Sequence, residues 1–423
     1  MNQNIKDTQN LLDFISKSPS PFHVVANMKK ELLANGFIQL KENEKFNIEK
    51  GKKYFVERNS SSLIAFSIPQ SFKGFSIVSA HTDSPTFKIK PNPEILANGY
   101  IKLNIEKYGG MLLSPWFDRP LSVAGRVFVL KDGEVKEQLF DIPKPLLSIV
   151  NLAIHQNRTA NDGIKYSVQK ELLPLFAQSS DKKAFSSFIA KQANCTEDEL
   201  LDYDLFLYNR CEPVIWGLDD EFFSSPKIDD LQCSYSAFKS LIEAEPKEKI
   251  AMVSLFDNEE VGSGTRQGAL SDFLSTTINR VMCSLNISEE ERYSQIASSF
   301  MVSADNGHAV HPNYADKSDV TNLPVINGGI LLKYSANQKY TTDASTGAFL
   351  KALMKKNDIP YQVFVNNSDQ LGGSTLGNLS IQKISIPTCD VGVAQLAMHS
   401  PYECGGTKDT TALLKLFTTF LSL

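Results

Sequence analysis

Several acidic and histidine residues in this sequence follow apolar segments that favour β-strands. His81 comes after SIVSA, Glu260 after AMVSLFDNE, Asp305 after FMVSA, and His399 after a longer, mostly apolar segment. In open α/β sheets the ligand-binding crevice lies beyond the carboxyl ends of the strands, where residues distant in sequence converge. With Asp229, which heads a predicted helix in the segment PKIDDL, these residues predict one polar site at the edge of a sheet.

The types of these residues indicate a metal site. Taken singly, each has a simpler explanation, because a lone histidine is usually a surface residue and an aspartate at a helix start is first an N-cap. As a set, imidazoles and carboxylates without a neighbouring thiolate suit Zn²⁺ or Mn²⁺. Five ligands are too many for one tetrahedral zinc, but they fit two ions about 3.5–4 Å apart that share a carboxylate. Asp229 is the expected bridge.

Two further carboxylates are expected to act beside the metals. Asp83 lies two residues after His81 and is close enough to fix the orientation of its imidazole, although it could instead bond the backbone. Glu259 precedes Glu260, and neighbouring residues that leave a strand point in different directions. One can therefore bind metal while the other, Glu259, reaches a metal-bound water as general base.

Bulk composition bounds the class of protein. The chain has 423 residues, 42% hydrophobic and 22% charged, and a net charge of -5, so it can bury a large core. That mild acidity gives no support to nucleic-acid or anionic-membrane binding. No apolar run approaches the roughly 20 residues that span a bilayer. The six cysteines show no CxxC spacing, which favours reduced thiols and a cytoplasmic protein.

The predicted elements change in character along the chain. A first helix is expected from Ser20-Pro21 to Gly36, with Leu33 on its buried face, and a buried strand at 74–79. Short alternating segments fill residues 88–223, including a hairpin at Asp132-Gly133. After residue 224 helices and buried strands alternate. The pattern predicts an α/β fold with a mostly parallel sheet covered by helices.

The expected domain division places a β-rich insertion at 88–223 between two parts of one catalytic α/β domain, 1–87 and 224–423. Similar core strands on both sides of 88–223 favour an interruption of one domain. Two unrelated domains in tandem are the alternative.

Several motifs together resemble the aspartyl aminopeptidases, a family of dinuclear zinc metallopeptidases, in the branch with bacterial chain lengths. The motifs lie in family order over nearly the whole chain: SAHTDSPTFKIKP (79–91), PWFDRPLSVAGRV (115–127), NLAIHQNR (151–158), IDDLQCSYSAF (228–238), FDNEEVGSGTRQGA (256–269), SADNGHAVHPNY (303–314), KYSANQKY (333–340) and LAMHS (396–400).

The resemblance implies a role for each matching residue. It gives one Zn²⁺ to His81, Asp229 and Asp305, and the second to Asp229, Glu260 and His399, with Mn²⁺ or Co²⁺ as substitutes. It implies Glu259 as general base. The remaining implied contacts are with the peptide substrate: His155, His308, Lys333 and Tyr340.

The resemblance also implies an assembly. The β-rich insertion is similar to the family's dimerisation domain, and relatives assemble dimers into a tetrahedral dodecamer. The family counterpart of His155 reaches the active site of the adjoining subunit. Hydrolysis of N-terminal residues, with a preference for Asp or Glu, is what the family name implies.

Three questions stay open at this point. Relatives often have Asn where this chain has Asp230, so either Asp229 or Asp230 could bridge the metals. A dinuclear deacylase or carboxypeptidase would use a similar ligand set. A non-catalytic, shell-like assembly would keep the fold but lose a ligand or the base, and none is missing here.

Overall fold

A computed structural model describes residues 2–370 and 372–423 of the chain. Its contacts divide the chain into two compact units. The first unit is Met1–Asp83, Pro213–Met398 and Glu403–Leu423, and the second is Ser84–Glu212 with His399–Tyr402.

The first unit contains most of the helices and one large sheet. Its helices are α1 (Gln3–Ser16), α2 (Pro21–Ala34), α5 (Ile228–Glu243), α6 (Phe273–Ser284), α7 (Glu289–Ala297), α8 (Ala344–Lys356), α9 (Leu376–Ser380) and α10 (Asp409–Leu421). Its strands are β1 (Ile38–Leu40), β2 (Lys53–Arg58), β3 (Ser62–Ser67), β4 (Phe75–His81), β11 (Val214–Trp216), β12 (Phe222–Ser225), β13 (Ile250–Phe256), β14 (Phe300–Ala304), β15 (Gly307–His308), β16 (Ile330–Lys333), β17 (Tyr361–Phe364), β18 (Thr388–Gly392), β19 (Ala394–Gln395) and β20 (Glu403–Gly406).

Nine of these strands form one sheet in the order β1-β2-β3-β13-β4-β14-β18-β16-β17. The central strands β13, β4, β14 and β18 pair in parallel, as do the outer pairs β1/β2 and β16/β17. The other neighbours, β2/β3, β3/β13 and β16/β18, are antiparallel. The prediction of a mostly parallel α/β sheet is therefore confirmed.

The central strands are buried on both faces, which explains why they are apolar runs without alternation. In β4, Val78 faces a core shared with α1, α2, α5 and α10, whereas Ile77 faces the core that α6 covers. In β13, Val253 faces the first of these cores and Met252 faces the core that α6 covers. Helices on both faces thus bury the sheet and leave its strand ends free to carry polar residues.

Two details of the first helices differ from the prediction. The helix at 21–34 forms as expected, and Gly36 follows it with a φ of +78°, but Leu33 is 51% exposed rather than buried. An earlier helix, α1, was not predicted. Its sequence, QNIKDTQNLLDFIS, begins with polar residues, and only its second half carries the apolar face, Leu11, Leu12 and Ile15.

The second unit is rich in strands. Its elements are β5 (Thr86–Ala97), β6 (Tyr100–Tyr108), β7 (Leu121–Lys131), β8 (Glu134–Asp141), α3 (Val168–Glu171), β9 (Leu175–Ala177), α4 (Ala184–Gln192) and β10 (Leu200–Asn209). Its six strands form one sheet in the order β8-β7-β10-β5-β6-β9. The hairpin at Asp132-Gly133 forms between β7 and β8, with φ of +54° and +78° at the turn, as a two-residue hairpin requires.

Within residues 2–370 and 372–423, the length and apolar composition that crossing a bilayer requires do not occur together in any helix. The six cysteines are unbridged.

Candidate metal centre

Three neighbouring strands of the large sheet end beside one another. β4 ends at His81, which pairs in register with Phe256 at the end of β13, and Asp305 directly follows β14. Since these strands are parallel, their carboxyl ends lie at one edge of the sheet. His81 and Asp305 therefore lie together at one edge of the sheet, as their positions after the two strands predicted.

The turn after β13 carries both adjacent glutamates. A short 3₁₀ turn, Glu259–Val261, lies between two left-handed residues, Asn258 with φ +64° and Gly262 with φ +94°. Asn258 tolerates this conformation because its short polar side chain bonds locally. Its Oδ1 accepts hydrogen bonds from Thr265 at 2.8 Å and Gln267 at 2.7 Å. The turn therefore aims Glu259 and Glu260 at the edge where β4 and β14 end.

A buried cluster of one imidazole and three carboxylates lies at this edge. His81, Asp229, Asp230 and Asp305 each offer a ligand atom, and these atoms all lie within 4.8 Å of one another. The imidazole Nε2 of His81 is 3.4 Å from Asp229 Oδ1 and 4.0 Å from Asp230 Oδ2. Such spacings are those of donors gathered around a common ion.

Asp229 also reaches the glutamate side of the site. Its carboxylate and that of Glu260 offer ligand atoms within 4.8 Å of one another, and His81, Glu259 and Glu260 form a further group at the same spacing. Asp230 instead turns one oxygen toward the backbone, where Oδ2 accepts a hydrogen bond from the His81 N–H at 3.3 Å. Between the two candidates for a bridging ligand, this geometry favours Asp229.

The start of α5 explains why Asp229 is available. The N-cap position is Lys227, with φ +58°, and Asp229 and Asp230 both have non-helical φ and ψ; the peptide bond between them is cis. Asp229 is therefore not the N-cap that its position in the sequence suggested as the simpler alternative. Its carboxylate faces the cluster instead of the helix backbone.

Asp83 connects the imidazole to the turn after β13. Its Oδ1 accepts the Glu259 N–H and its Oδ2 accepts the Glu260 N–H, both at 3.1 Å. The Nδ1 of His81 lies 3.3 Å from Asp83 Oδ1 and 3.1 Å from the Asp83 carbonyl oxygen. Both alternatives considered for Asp83 are thus present, since it lies against the imidazole and also bonds backbone.

Burial and crowding disfavour the charged forms of these carboxylates. Burial raises the pKa of Asp230 and of Glu260 well above the ordinary range, with Asp229 adding to the effect in both and His81 opposing it. Burial likewise raises the pKa of Glu259 to about 8, against the opposing charge of His81. The pKa of His81 rises because Asp229 and Asp230 outweigh burial, which alone would lower it.

This excess of negative charge fits a divalent cation. Ionised carboxylates buried side by side are costly unless positive charge is supplied, and the donors here are oxygens and imidazole nitrogen, which zinc accepts. Cys233 is buried beside Asp230 and is therefore closer to the cluster than the sequence suggested. Burial and the Asp230 carboxylate raise the pKa of its thiol. Its thiol donates to Asn306 Oδ1 at 3.3 Å rather than joining the groups that could hold a metal.

Lys333 lies behind Asp305. It is 2% exposed, its Nζ donates to the Asn306 carbonyl at 2.7 Å, and it lies 3.4 Å from Asp305 Oδ2. Tyr340 covers it, with the ring centroid 5.4 Å from Nζ. These two predicted substrate contacts are therefore close to the metal cluster.

His308 lies exposed on β15 and lines a cleft of about 400 Å³. Other polar residues that line this cleft include Tyr314, Asn366 and Gln395. A cleft of this size accommodates a side chain or a short peptide segment. The role of His308 as a substrate contact stays a prediction.

Two predicted site residues belong to the second unit. His155 is exposed in a turn-rich segment. His399 has a φ of +65°, and its carbonyl accepts the Leu112 N–H at 3.1 Å. The role of His155 as a substrate contact and that of His399 as a ligand stay predictions.

The buried polar residues behind the ligands were not predicted from the sequence. Glu403 accepts the Asp229 N–H through Oε2 at 3.0 Å, and Gln395 donates to Glu403 Oε1 at 3.2 Å. Gln395 interrupts an apolar run, VGVAQLAM, and an uncharged polar residue inside such a run was the available signal. Glu403 carried no comparable signal.

Comparison with known proteins shows similarity over almost the whole chain. The model of a family described as aminopeptidase I zinc metalloprotease (M18) matches residues 14–421. A protein of Clostridium acetobutylicum named probable M18 family aminopeptidase 2 is 44% identical, over 100% of both chains.

Solved structures show the same similarity. A chain in the cryo-EM structure of the Ape4 and Nbr1 complex superposes with a TM-score of 0.95 at 34% identity, covering 100% of this chain and 87% of that one. The S. cerevisiae mApe1 dodecamer gives a TM-score of 0.87 at 29% identity, covering 99% and 97%.

Proposed function

Because the chain belongs to the M18 family of aminopeptidase I zinc metalloproteases, we propose that it removes N-terminal residues from peptides with two zinc ions per subunit. The position of Asp229 is the main support for a two-ion site. Its carboxylate lies within ligand distance of His81 and Asp305 on one side and of Glu260 on the other. A single shared carboxylate between two groups of donors is the arrangement of dinuclear hydrolases.

The proposed ligands divide between the ions around Asp229. One ion is held by His81, Asp229 and Asp305, and the other by Asp229, Glu260 and His399. Zinc bound there would supply Lewis acidity toward the scissile carbonyl and the attacking water. Asp230 stays outside this set because its carboxylate accepts a backbone N–H.

Glu259 is the proposed general base. It would take a proton from the attacking water and deliver it to the leaving amine. Asp83 positions this carboxylate by accepting the N–H of both Glu259 and Glu260, which also fixes the base relative to a ligand. Burial raises the pKa of Glu259, and the positive charge of zinc bound beside it would favour the ionised form that a base requires.

Free-amine substrates distinguish this function from that of a dinuclear deacylase or carboxypeptidase. We expect the zinc-loaded protein to cleave peptides with a free α-amine and to leave N-acetylated versions of the same peptides intact. Cleavage of the blocked series would support the deacylase or carboxypeptidase. Zinc in the protein without turnover of either series would support a non-catalytic assembly.

A preference for N-terminal Asp or Glu is proposed from Lys333. Its ammonium is buried behind Asp305 and beneath Tyr340, so its positive charge acts on the site from behind that carboxylate. A panel of Asp, Glu, Ala and Leu p-nitroanilides tests it. We expect the highest kcat/KM for Asp or Glu, and we expect Lys333→Met to reduce this selectivity more than Lys333→Arg does. Equal selectivity in all three proteins would contradict the assignment.

Self-association through the segment 88–223 is proposed by analogy with the S. cerevisiae mApe1 dodecamer. In this arrangement His155 of the partner subunit completes each active site and stabilises the oxyanion. Mixing two inactive variants, Glu259→Gln and His155→Ala, tests it, because a mixed pair restores one complete site. Recovered activity after co-refolding of the two variants would support a role of His155 in the active site of the neighbouring subunit. If no activity is recovered, His155 does not act between subunits.

A further inference from the structure

Three buried polar side chains connect the backbones that carry two of the proposed zinc ligands. Glu403, Gln395 and Asn306 are 2%, 1% and 3% exposed. Gln395 Nε2 donates to Glu403 Oε1 at 3.2 Å, and Asn306 Nδ2 donates to Gln395 Oε1 at 2.8 Å. We call these three side chains the buried relay.

The relay closes on the peptide group that precedes the carboxylate of Asp229. Glu403 Oε2 accepts the Asp229 N–H at 3.0 Å, while Asn306 Nδ2 donates to the Ile228 carbonyl at 3.4 Å. Glu403 therefore holds the N–H end of the Ile228–Asp229 peptide group, and the same ring of hydrogen bonds reaches the carbonyl end through an amide that also donates to Gln232 Oε1 at 3.1 Å. A peptide plane held at its N–H and its carbonyl has little freedom to rotate.

The relay also reaches the other proposed carboxylate ligand of the first ion. Asn306 follows Asp305 directly, and its carbonyl accepts Lys333 Nζ at 2.7 Å, with Nζ 3.4 Å from Asp305 Oδ2. The Asn306 Oδ1 accepts the Val393 N–H at 3.3 Å, which fixes its amide orientation. The segments that carry Asp229 and Asp305 thus share one hydrogen-bonded support.

Each contact in the relay has a fixed donor and acceptor. Glu403 accepts at both oxygens, and Gln395 donates to it and accepts from Asn306. The amide of Asn306 also donates to Gln232 and, at a longer distance, to the Ile228 carbonyl. We propose that Glu403, acting through this order of donors and acceptors, is a positioning residue that sets Asp229 for zinc binding. The proposal rests on the zinc site proposed above.

Glu403→Gln should disturb that order while changing the shape of the side chain little. One of its two acceptors becomes an NH₂ group, which would face either the Asp229 N–H or Gln395 Nε2. Rotating the Gln395 amide would relieve this contact but would place the NH₂ group of Gln395 against Asn306 Nδ2. The Asn306 amide cannot rotate in turn, because the Val393 N–H and the Ile228 carbonyl bond it in its present orientation. We expect about 10- to 100-fold weaker zinc binding, the range typical when a group behind a ligand is removed.

An exchange of the two side chains should restore the order. In the double variant Glu403→Gln/Gln395→Glu, the amide at 403 accepts the Asp229 N–H and donates to the carboxylate at 395. That carboxylate in turn accepts from Asn306. The single variant Gln395→Glu places two carboxylates together and should also weaken zinc binding. The net charge of the double variant equals that of the parent.

The experiment measures zinc affinity by competition with a chromogenic chelator, zinc content by mass spectrometry, and the Tm of the zinc-free proteins. Asp7→Asn is the matched control, since Asp7 is a buried carboxylate of α1 that accepts hydrogen bonds from Gln3 and Thr411. We expect both single relay variants to lose zinc affinity, the double variant to recover it to within threefold, and Asp7→Asn to keep it.

Each outcome bears on the proposal. Parent-like affinity in Glu403→Gln, a double variant that stays weak or does not fold, or an equal loss in Asp7→Asn would overturn it. If Glu403→Gln alone does not fold, recovery of folding and zinc affinity in the double variant still supports it. A parent protein that binds no zinc would refute the proposed function instead, which keeps the two failures separate.

Discussion

Two groups of partly or wholly buried charges, one in each unit, are built on opposite principles. In the second unit, Asp204 lies between Lys88 Nζ at 2.7 Å and Arg126 Nε at 2.9 Å. Burial acts to raise the pKa of Asp204, but the hydrogen bonds and charges of Lys88 and Arg126 outweigh it and lower the pKa. In the cluster of the first unit, burial instead raises the pKa values of Asp230 and Glu260 well above their ordinary range.

The difference shows which group has its charge balanced by residues of the chain. The ion pairs of Asp204 supply their own positive charge, as groups that only stabilise a fold must. The first-unit cluster gathers more carboxylates than its imidazole can neutralise, so it is adapted to a charge that comes from outside the chain. Perturbed pKa values often mark functional sites for this reason.

Asp229→Asn should produce the largest effect in either group. Removing the charge of the shared ligand weakens both ions, so we expect the zinc content to fall from two ions to one or none. We expect kcat/KM to fall by about 1,000-fold or more. Zinc analysis and steady-state kinetics measure both. Asp204→Asn is the matched control, and comparable zinc loss there would remove the contrast between the groups.

Glu259→Gln should separate catalysis from metal binding. The amide keeps the size of the side chain but cannot accept the water proton, so kcat should fall about 100- to 10,000-fold. Zinc content and the zinc-dependent rise in Tm should stay at parent values because Glu259 is not a proposed ligand. Activity near that of the parent would refute its role as base.

Asp409→Asn tests whether a raised pKa is enough to mark a metal site. Asp409 is fully buried on α10, and burial raises its pKa to about 7 against hydrogen bonds from the Asn327 and Gly329 N–H groups. Its proton therefore stabilises the fold below pH 3.8, and this contribution disappears as the pH rises through about 7.

Replacing this carboxylate should flatten the decline of stability with pH. The parent should lose up to about 4 kcal/mol more than Asp409→Asn between pH 4 and 7, with zinc affinity the same in both. Urea unfolding at several pH values measures the slope. Reduced zinc affinity in the variant would show that α10 contributes to the metal site after all.

Asp204→Asn should have the smallest effect, confined to stability. It leaves Lys88 and Arg126 without their shared carboxylate, and the side chain of Asp204 is 26% exposed, so the loss should be about 1–2 kcal/mol. Urea unfolding of the zinc-loaded protein measures it. The double variant Asp204→Asn/Lys88→Met should recover part of the loss, and no recovery would mean that Lys88 does not matter to the pair.

The sequence predicted the strand ends better than the groups behind them. Apolar runs such as those before His81 and Asp305 identify strands buried on both faces, and parallel pairing then brings their ends together. The helix α1 was missed because its apolar face begins only at Leu11. The relay was missed because hydrogen bonds join Gln395 to Asn306 and Glu403 to Asp229, which are far away in the chain, and no local pattern encodes such contacts.

The two hydrogen bonds of Asp83 restrict what mutation can do at that position. Because one carboxylate accepts the N–H of the proposed base and that of the adjacent proposed ligand, an asparagine there has one acceptor for two donors. A substitution therefore cannot adjust proton transfer and leave zinc binding as it was. Variants of Asp83 should therefore show altered proton transfer and altered zinc binding together. A second mutation that restores proton transfer is tolerated only if it also preserves zinc binding.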